Sequence, residues 1–494
     1  MPLKTKNRAS AAALMDLRWH IWVVWLAFAA VTLSATRADP DLWGHLRFGL
    51  DWLQTHRLPE IDPYSFTQDR SWINHEWLSE AVMALAYQDC GIPGLVVLKM
   101  AVMGCVLAVL VWRLRGSSPI VAASVASIAM VAALPLSGTL RPQIWSALGL
   151  ALLMPLLDAE REPPIARAAV AATLFAVWAN MHGGWITGAI VLVAHAAVRI
   201  ARVPRHAFGW ILVTASATAG TLLNPYGIHL WTFLATTVRA SRPDITEWRP
   251  FSLHEPPIMW VSIVAPLAIA AALARRRGTR PPVEVSIVVL LLIAAGLRVS
   301  RVAPLMAPAA LVLLAPSIRN TWGHAARLGR ISVAGAVVFA APAALAILAA
   351  SAPVARSLSC IPIRDSWAPD RESAAALRNV SGRLWTTFDW GEFAIWHFGP
   401  RLRVSIDGRR ETIYSNDVIQ WHQAFDRGDP EAFARFSATA PEFVWLRSSN
   451  TAARAWLVAH GYRIDKQTDA SFVAVRDDLP ALDAPTQSLP ACFP

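Results

Sequence analysis

Asp39-Pro40-Asp41-Leu42-Trp43-Gly44-His45, followed by Asn74-His75-Glu76-Trp77-Leu78-Ser79-Glu80, are the stretches that decide how this chain is read. Both come after a first apolar run, Ile21 to Thr36, and both crowd carboxylates, imidazoles and indoles beside it. Titratable groups packed so densely next to a membrane segment point to chemistry at the membrane surface. Asp39 before Pro40 predicts a helix start, because Asp caps well and Pro suits a first turn. Leu42, Leu46, Leu50 and Leu53 recur at helical spacing, which predicts a helix lying flat at the lipid interface with its leucines down. Asp41 and His45, four residues apart, share a neighbouring face and can meet one ligand. Pro59 to Pro63 reads as a turn, and Asn74 as the cap of a second interfacial helix.

Composition agrees with a membrane setting. Of 494 residues, 55% are hydrophobic and 16% charged, with a mean hydropathy of +0.40, which excludes an ordinary soluble enzyme. Roughly eleven apolar runs, several short or interrupted by Pro, approach the length needed to cross about 30 Å of hydrocarbon. The last is Ile331 to Ala350.

A formal charge of +11 raises the question of a nucleic-acid partner, but the basic residues recur at alternate loops instead of forming one patch. Lys4, Lys6, Arg8 and Arg18 precede the first run. Arg113 with Arg115, Arg161 with Arg167, Arg199 to Arg205, Arg275 to Arg280, and Arg319 to Arg330 follow later ones. This is the positive-inside pattern, and it predicts a cytoplasmic amino terminus. The first run reads as an uncleaved helix, being long for a signal sequence and followed by many more. With an odd number of spans, the first loop and the tail both emerge on the extracytoplasmic side.

The expected fold is an α-helical polytopic membrane bundle with a small carboxy-terminal α/β domain. Residues 1–36 form the cytoplasmic end and first span, 37–90 the first outer loop, 91–351 the remaining bundle, and 352–494 the outer domain. In that domain, Leu384 to Phe388, Arg403 to Ile406, Phe443 to Leu446, Tyr462 to Ile464 and Phe472 to Val475 read as strands. Thr451 to His460 reads as a helix. Cys105 reads as a core residue, while Cys90, Cys360 and Cys492 fall outside, where Cys360 and Cys492 can staple the domain's ends among other pairings.

Asp41 and Asp39 are the candidate catalytic acids, able to deprotonate an acceptor or to hold a metal. The simpler reading has Asp39 capping the helix and Asp41 complementing its dipole. His45, His75 and Glu76 either shape a substrate site or face water; no zinc-binding spacing occurs, so a divalent metal (Mg or Mn) on Asp41 and His45 is possible without being indicated. Arg141, the Asn180 to Trp185 turn with His182, the Asn224 to Gly227 turn, and Arg298 with Arg301 lie at outer ends of spans and sketch an outward-facing pocket. Arginines there suit a phosphate or snorkel to the interface. Lys99 either pairs with an acid or extends toward an interface. Asp389 to Glu392 and Asp407 to Glu411 follow strands and are the expected place of acceptor recognition.

The layout resembles the GT-C superfamily of membrane glycosyltransferases: many spans, an acidic first outer loop at Asp39 and Asp41, two interfacial helices and an outer carboxy-terminal domain. Asp-Pro-Asp-Leu-Trp-Gly-His with His-Glu-Trp-Leu-Ser-Glu is similar to a group of bacterial glycosyltransferase-like membrane proteins. The resemblance implies inverting hexosyl or pentosyl transfer from a polyprenyl-phosphate sugar to an envelope glycan, lipid or protein, with an outer-loop acid as base. The histidines of the loop and the tail depart from the pattern. Two rivals stand beside it: a non-catalytic envelope scaffold, and a lipid-linked sugar transporter, for which a two-fold repeat would be expected and is not evident.

Overall fold

In a computed structural model, residues 15, 16, 18–158, 165–239, 242, 245–276, 278–323, 330, 331, 333–363, 367–483, 489 and 491–494 are described. Lys4, Lys6, Arg8, Arg161, Arg277 and Arg327 lie outside them. The chain opens with α1 (Arg18–Ser34), α2 (Asp41–Thr55) and α3 (Trp77–Arg113). The bundle continues with α4 (Pro119–Ala132), α5 (Leu134–Ser137), α6 (Gln143–Leu157), α7 (Ile165–Met181), α8 (Trp185–Arg202), α9 (Ala207–Thr221) and α10 (His229–Arg239). It closes with α11 (Pro257–Ala274), α12 (Val283–Arg298), α13 (Ala303–Trp322) and α14 (Val333–Ser359). Among the described residues, five helical segments are long and apolar enough to cross a membrane: Trp77–Arg113, Trp185–Arg202, Pro257–Ala274, Ser300–Trp322 and Ala340–Ser359. Four apolar helices, near α1, α4, α6 and α7, are shorter.

Glycines let the helices close up. A Cβ on Gly149 or Gly188 would run into the Trp178 ring, and one on Gly220 into the Ala172 carbonyl 2.2 Å away. Lys99 neither pairs with an acid nor reaches an interface. Fully buried, it donates to the carbonyls of Ala35 and Ser137, both at 2.6 Å, tying the end of α1 to α5. Cys105 is exposed on α3 and is not a core residue.

Gly91, at φ 61 and ψ −143, breaks α3 into two segments, a backbone conformation that side-chain-bearing residues rarely tolerate. The α2 helix begins one residue beyond the start that Asp39 and Pro40 predict, with Pro40 in the cap position. Its apolar stripe, however, is covered by protein: Leu42, Trp43 and Leu46 are fully buried. Trp43 packs edge-on against Trp367 and Phe393 and near Phe493, all from the tail. An apolar stripe demands cover without specifying lipid or protein, and here the tail supplies it.

The tail contains α15 (Arg371–Ala376), α16 (Gly391–Phe398), α17 (Asn416–Asp426), α18 (Pro430–Thr439) and α19 (Thr451–Ala459) around five strands. These are β1 (Gly382–Thr386), β2 (Leu402–Val404), β3 (Phe443–Arg447), β4 (Tyr462–Gln467) and β5 (Ser471–Arg476), in the spatial order β2-β1-β3-β5-β4. β1 runs parallel to both β2 and β3; β5 runs antiparallel to β3 and β4. Cys360 and Cys492 are disulfide-bonded, with Cα atoms 5.3 Å apart.

The loop between α2 and α3 extends this sheet. Val404 N–H donates to Tyr64 O at 2.9 Å and Phe66 N–H to Val404 O at 3.1 Å, so the loop lines the β2 edge. Asp69 and Arg70 donate to Ile413 O, and Ala38 to Pro362 O. The edge-strand amides that would otherwise face solvent are thereby satisfied, and loop and tail form one folded layer over the bundle.

Candidate active site at the loop, bundle and tail junction

Arg141, in the turn before α6, organises the acids of the first loop. Its Nε donates to Asp39 Oδ2 at 2.7 Å, its Nη2 lies 3.3 Å from Asp41 Oδ2, and its Nη1 is 3.3 Å from Glu247 Oε1. Asp39 also accepts the Asp41 N–H through Oδ1 at 3.1 Å, so it joins the turn and the ion pair at once. Glu247 bridges onward to Arg301 Nη1 at 2.7 Å. Arg301 and Arg242 both lie over the Trp248 ring, and Arg242 pairs with Glu411 of the tail.

Part of this chain of ions rims a cavity of about 1090 Å³. Asp39, Arg141, Glu247 and Arg301 line its polar side together with Arg37 and Arg356, while Leu134, Leu136, Ile258, Met259 and Pro304 line its apolar side. Such a lining fits an amphiphile with an anionic head.

A second cluster forms where α2 meets the first segment of α3. His45 Nδ1 is 3.1 Å from Glu80 Oε1, and Glu80 Oε2 accepts from Asn74 Nδ2 at 2.6 Å. Glu76 Oε1 lies 3.5 Å from His75 Nε2 and 3.6 Å from His182 Nε2. Burial alone would lower the His45 imidazole; the Glu80 hydrogen bond and the charges of Glu76, Glu80 and Asp41 outweigh it and raise it to about 9. His182 is pushed well down, chiefly by burial and then by His75, Arg301 and His45. Its Nδ1 accepts the Gly184 N–H at 3.0 Å, so the ring proton sits on Nε2 and faces Glu76. Ser146 holds the same nitrogen at 2.6 Å and accepts from Trp178.

One ligand atom each from His45, Glu76 and Glu80 come within 4.8 Å of one another. Two carboxylates and an imidazole suit Mg or Mn by donor type, and a metal there would displace the His45 proton. Asp41, weighed with His45 as a possible metal pair from the sequence, is not among these three donors.

The turns on the bundle side position the loop. Asn180 Oδ1 accepts from Trp77 Nε1 at 2.8 Å, and Tyr226 Oη accepts from the Asn74 N–H at 3.0 Å. The structure therefore brings Asp39, Asp41, His45, His75, Glu76, Arg141, His182 and Arg301 to one junction. Arg298 is exposed at the end of α12 and joins none of these contacts. Sequence reasoning missed Glu80, Glu247, Arg37 and Arg356. Glu80 carried a signal, being one helical turn beyond Glu76.

The tail meets the site through Asp407 to Glu411. Arg409, buried, grips Asp62 of the first loop at 2.5 and 3.1 Å and Asp407 at 2.7 Å, and it lies over the rings of Phe48, Tyr64 and Trp72. This arginine is structural glue and is not free for an acceptor. Glu392 of α16 reaches α2 beside Asp41.

No protein-family model and no curated protein sequence matches the chain. Solved structures do. An oligosaccharyltransferase of Archaeoglobus fulgidus, tethered to an acceptor peptide, superposes with a TM-score of 0.53 at 13% identity, covering 93% of this chain and 74% of that one. ArnT of Cupriavidus metallidurans, bound to undecaprenyl phosphate, gives 0.54 at 12% identity, covering 93% and 98%. Arabinofuranosyltransferase AftD from Mycobacteria gives 0.50 at 16% identity, and this chain spans 40% of its length. The chain thus shares the overall fold of these structures, and among its described residues five helical segments are long and apolar enough to cross a membrane.

Proposed function

We propose that the protein is a membrane glycosyltransferase that takes a sugar from a polyprenyl-phosphate donor on the extracytoplasmic face and passes it to an envelope acceptor. The observation that carries this reading is the pairing of Asp39 and Asp41 on one guanidinium, Arg141, which together with Asp39 lines the partly apolar cavity. The undecaprenyl phosphate in the ArnT structure and the peptide acceptor of the oligosaccharyltransferase support a lipid-linked donor and a separate acceptor. The amino terminus is cytoplasmic and the tail extracytoplasmic in this reading, as the alternation of basic loops implies. About eleven spans and inverting stereochemistry belong to the same proposal.

Asp41 acts as the base. As the acceptor oxygen bonds to the anomeric carbon, the bond from that carbon to the phosphate oxygen breaks and its electron pair leaves with the lipid phosphate. The acceptor's proton passes to Asp41. Arg301 and Arg141 stabilise the charge growing on the departing phosphate, which is usually the largest catalytic term. A divalent metal, if bound, would be held by His45, Glu76 and Glu80 and would supply Lewis acidity at the junction.

Turnover of a panel of polyprenyl-phosphate sugars in nanodiscs, wild type beside Asp41→Asn, tests the proposal. Loss of at least about 100-fold in kcat with donor binding kept is expected. Full activity in a folded Asp41→Asn protein removes Asp41 as the base, and binding without turnover by the wild type turns the reading toward a scaffold.

A further inference from the structure

Glu392 is 3% exposed, and its Oε2 has no hydrogen-bond partner. It occupies room made by two glycines. A Cβ on Gly44 of α2 would lie 2.1 Å from Glu392 Oε2; one on Gly408 would lie 2.6 Å from Asp41 Oδ1 and 2.7 Å from Glu392 Oε1. The side chains of Asp41 and Glu392 therefore crowd the same point from two domains.

A buried carboxyl group surrounded by other carboxylates favours its neutral form. Asp41 is a quarter exposed, with the Arg141 guanidinium 3.3 Å away. Glu392 is buried, and the groups facing it are mostly acidic: Asp41 from α2, Glu80 from α3 and Asp407 beside Gly408. The cation in that set, Arg409, is committed to Asp62 and Asp407.

We propose that Glu392 is a positioning residue contributed by the tail: a neutral carboxyl group, docked between Gly44 and Gly408, that holds the Asp41 side chain in place for the transfer. This rests on the transferase reading above. Burial first, and then Asp41 and Asp407, push the Glu392 carboxyl well above the usual range, in agreement with the geometry. Glu392 keeps its proton throughout the transfer, while the acceptor's proton goes to Asp41. The inference makes the tail part of the active site and explains why α16 carries an acid at a buried position.

The test pairs infrared spectroscopy with kinetics on the full-length protein in nanodiscs. Wild type at neutral pH should show a protonated-carboxyl carbonyl band that Glu392→Gln lacks. Glu392→Ala should lower kcat at least about tenfold with donor KM little changed, and neutral Glu392→Gln should recover most of that loss. Gly408→Ala, which drives a methyl between the two carboxyls, should also lower kcat. Absence of the band, or Glu392→Gln as slow as Glu392→Ala in a folded protein, overturns the proposal. The band is read without turnover, so a wild type that transfers no sugar overturns the transferase reading while the band still decides the state of Glu392.

Discussion

Arg409 and Asp62, 347 positions apart in sequence, meet in a two-pronged ion pair at 2.5 and 3.1 Å, with both side chains buried. Asp407 holds the same guanidinium from the tail side at 2.7 Å. This contact joins the loop between α2 and α3 to the tail, and the junction it closes is where Asp41 and Glu392 converge.

Removing Arg409 would leave Asp62 and Asp407 buried without a cation. Arg409→Met should destabilise the protein by about 3–5 kcal/mol, the usual result of breaking one side of a buried pair. A fall in the thermal midpoint, with faster proteolysis of the tail, checks this; an unchanged midpoint would show that the pair does not hold the layers together.

The two arginines near the end of α12 should behave differently. Arg301 lines the cavity and pairs with Glu247, whereas Arg298 is exposed and outside the cluster. Arg301→Ala should raise the donor KM by about tenfold, the loss of one charge-assisted hydrogen bond. Arg298→Ala should leave it unchanged. Equal effects in a donor titration would move the phosphate site.

His45 gives a pH signature. Its pKa rises from an ordinary 6.5 to about 9 in the folded protein, so the folded state binds the proton more tightly than the unfolded state does. The resulting stabilisation is fully present below about 6.5 and is lost as pH rises through about 9. Its ceiling is about 3 kcal/mol. Thermal midpoints of the metal-free protein should fall across that window, and the fall should be much smaller in His45→Asn.

Metal binding has its own readout. Mn²⁺ titrated into chelator-treated protein should bind, with its electron paramagnetic signal broadened. Glu80→Gln, which removes one of the three converging donors, should weaken that binding at least about tenfold. Binding that survives in Glu80→Gln would place the ion elsewhere.

Much of the tail was legible locally. The apolar runs at Phe443 and Phe472 became β3 and β5, and Thr451 began a helix, because strand and helix periodicity are properties of short windows. The leucines of α2 were legible as a buried stripe but not by what buries them, since periodicity is blind to the covering surface. Lys99 was ambiguous for a similar reason: its partners are backbone carbonyls, which no side-chain pattern announces.

The sequence by itself determined the membrane class, the acidic first loop and the residues that crowd it, since Asp39, Asp41, His45, His75 and Glu76 stand within two short stretches. Only the tertiary structure decided that Arg141 grips both aspartates, that Glu76 and Glu80 face His45, and that Glu247 and Glu392 join them. The physical reason is distance along the chain. Hydropathy and helix caps act over a few residues, whereas the groups around Asp41 come from the bundle and the tail, and their arrival depends on how loop and tail pack on the bundle.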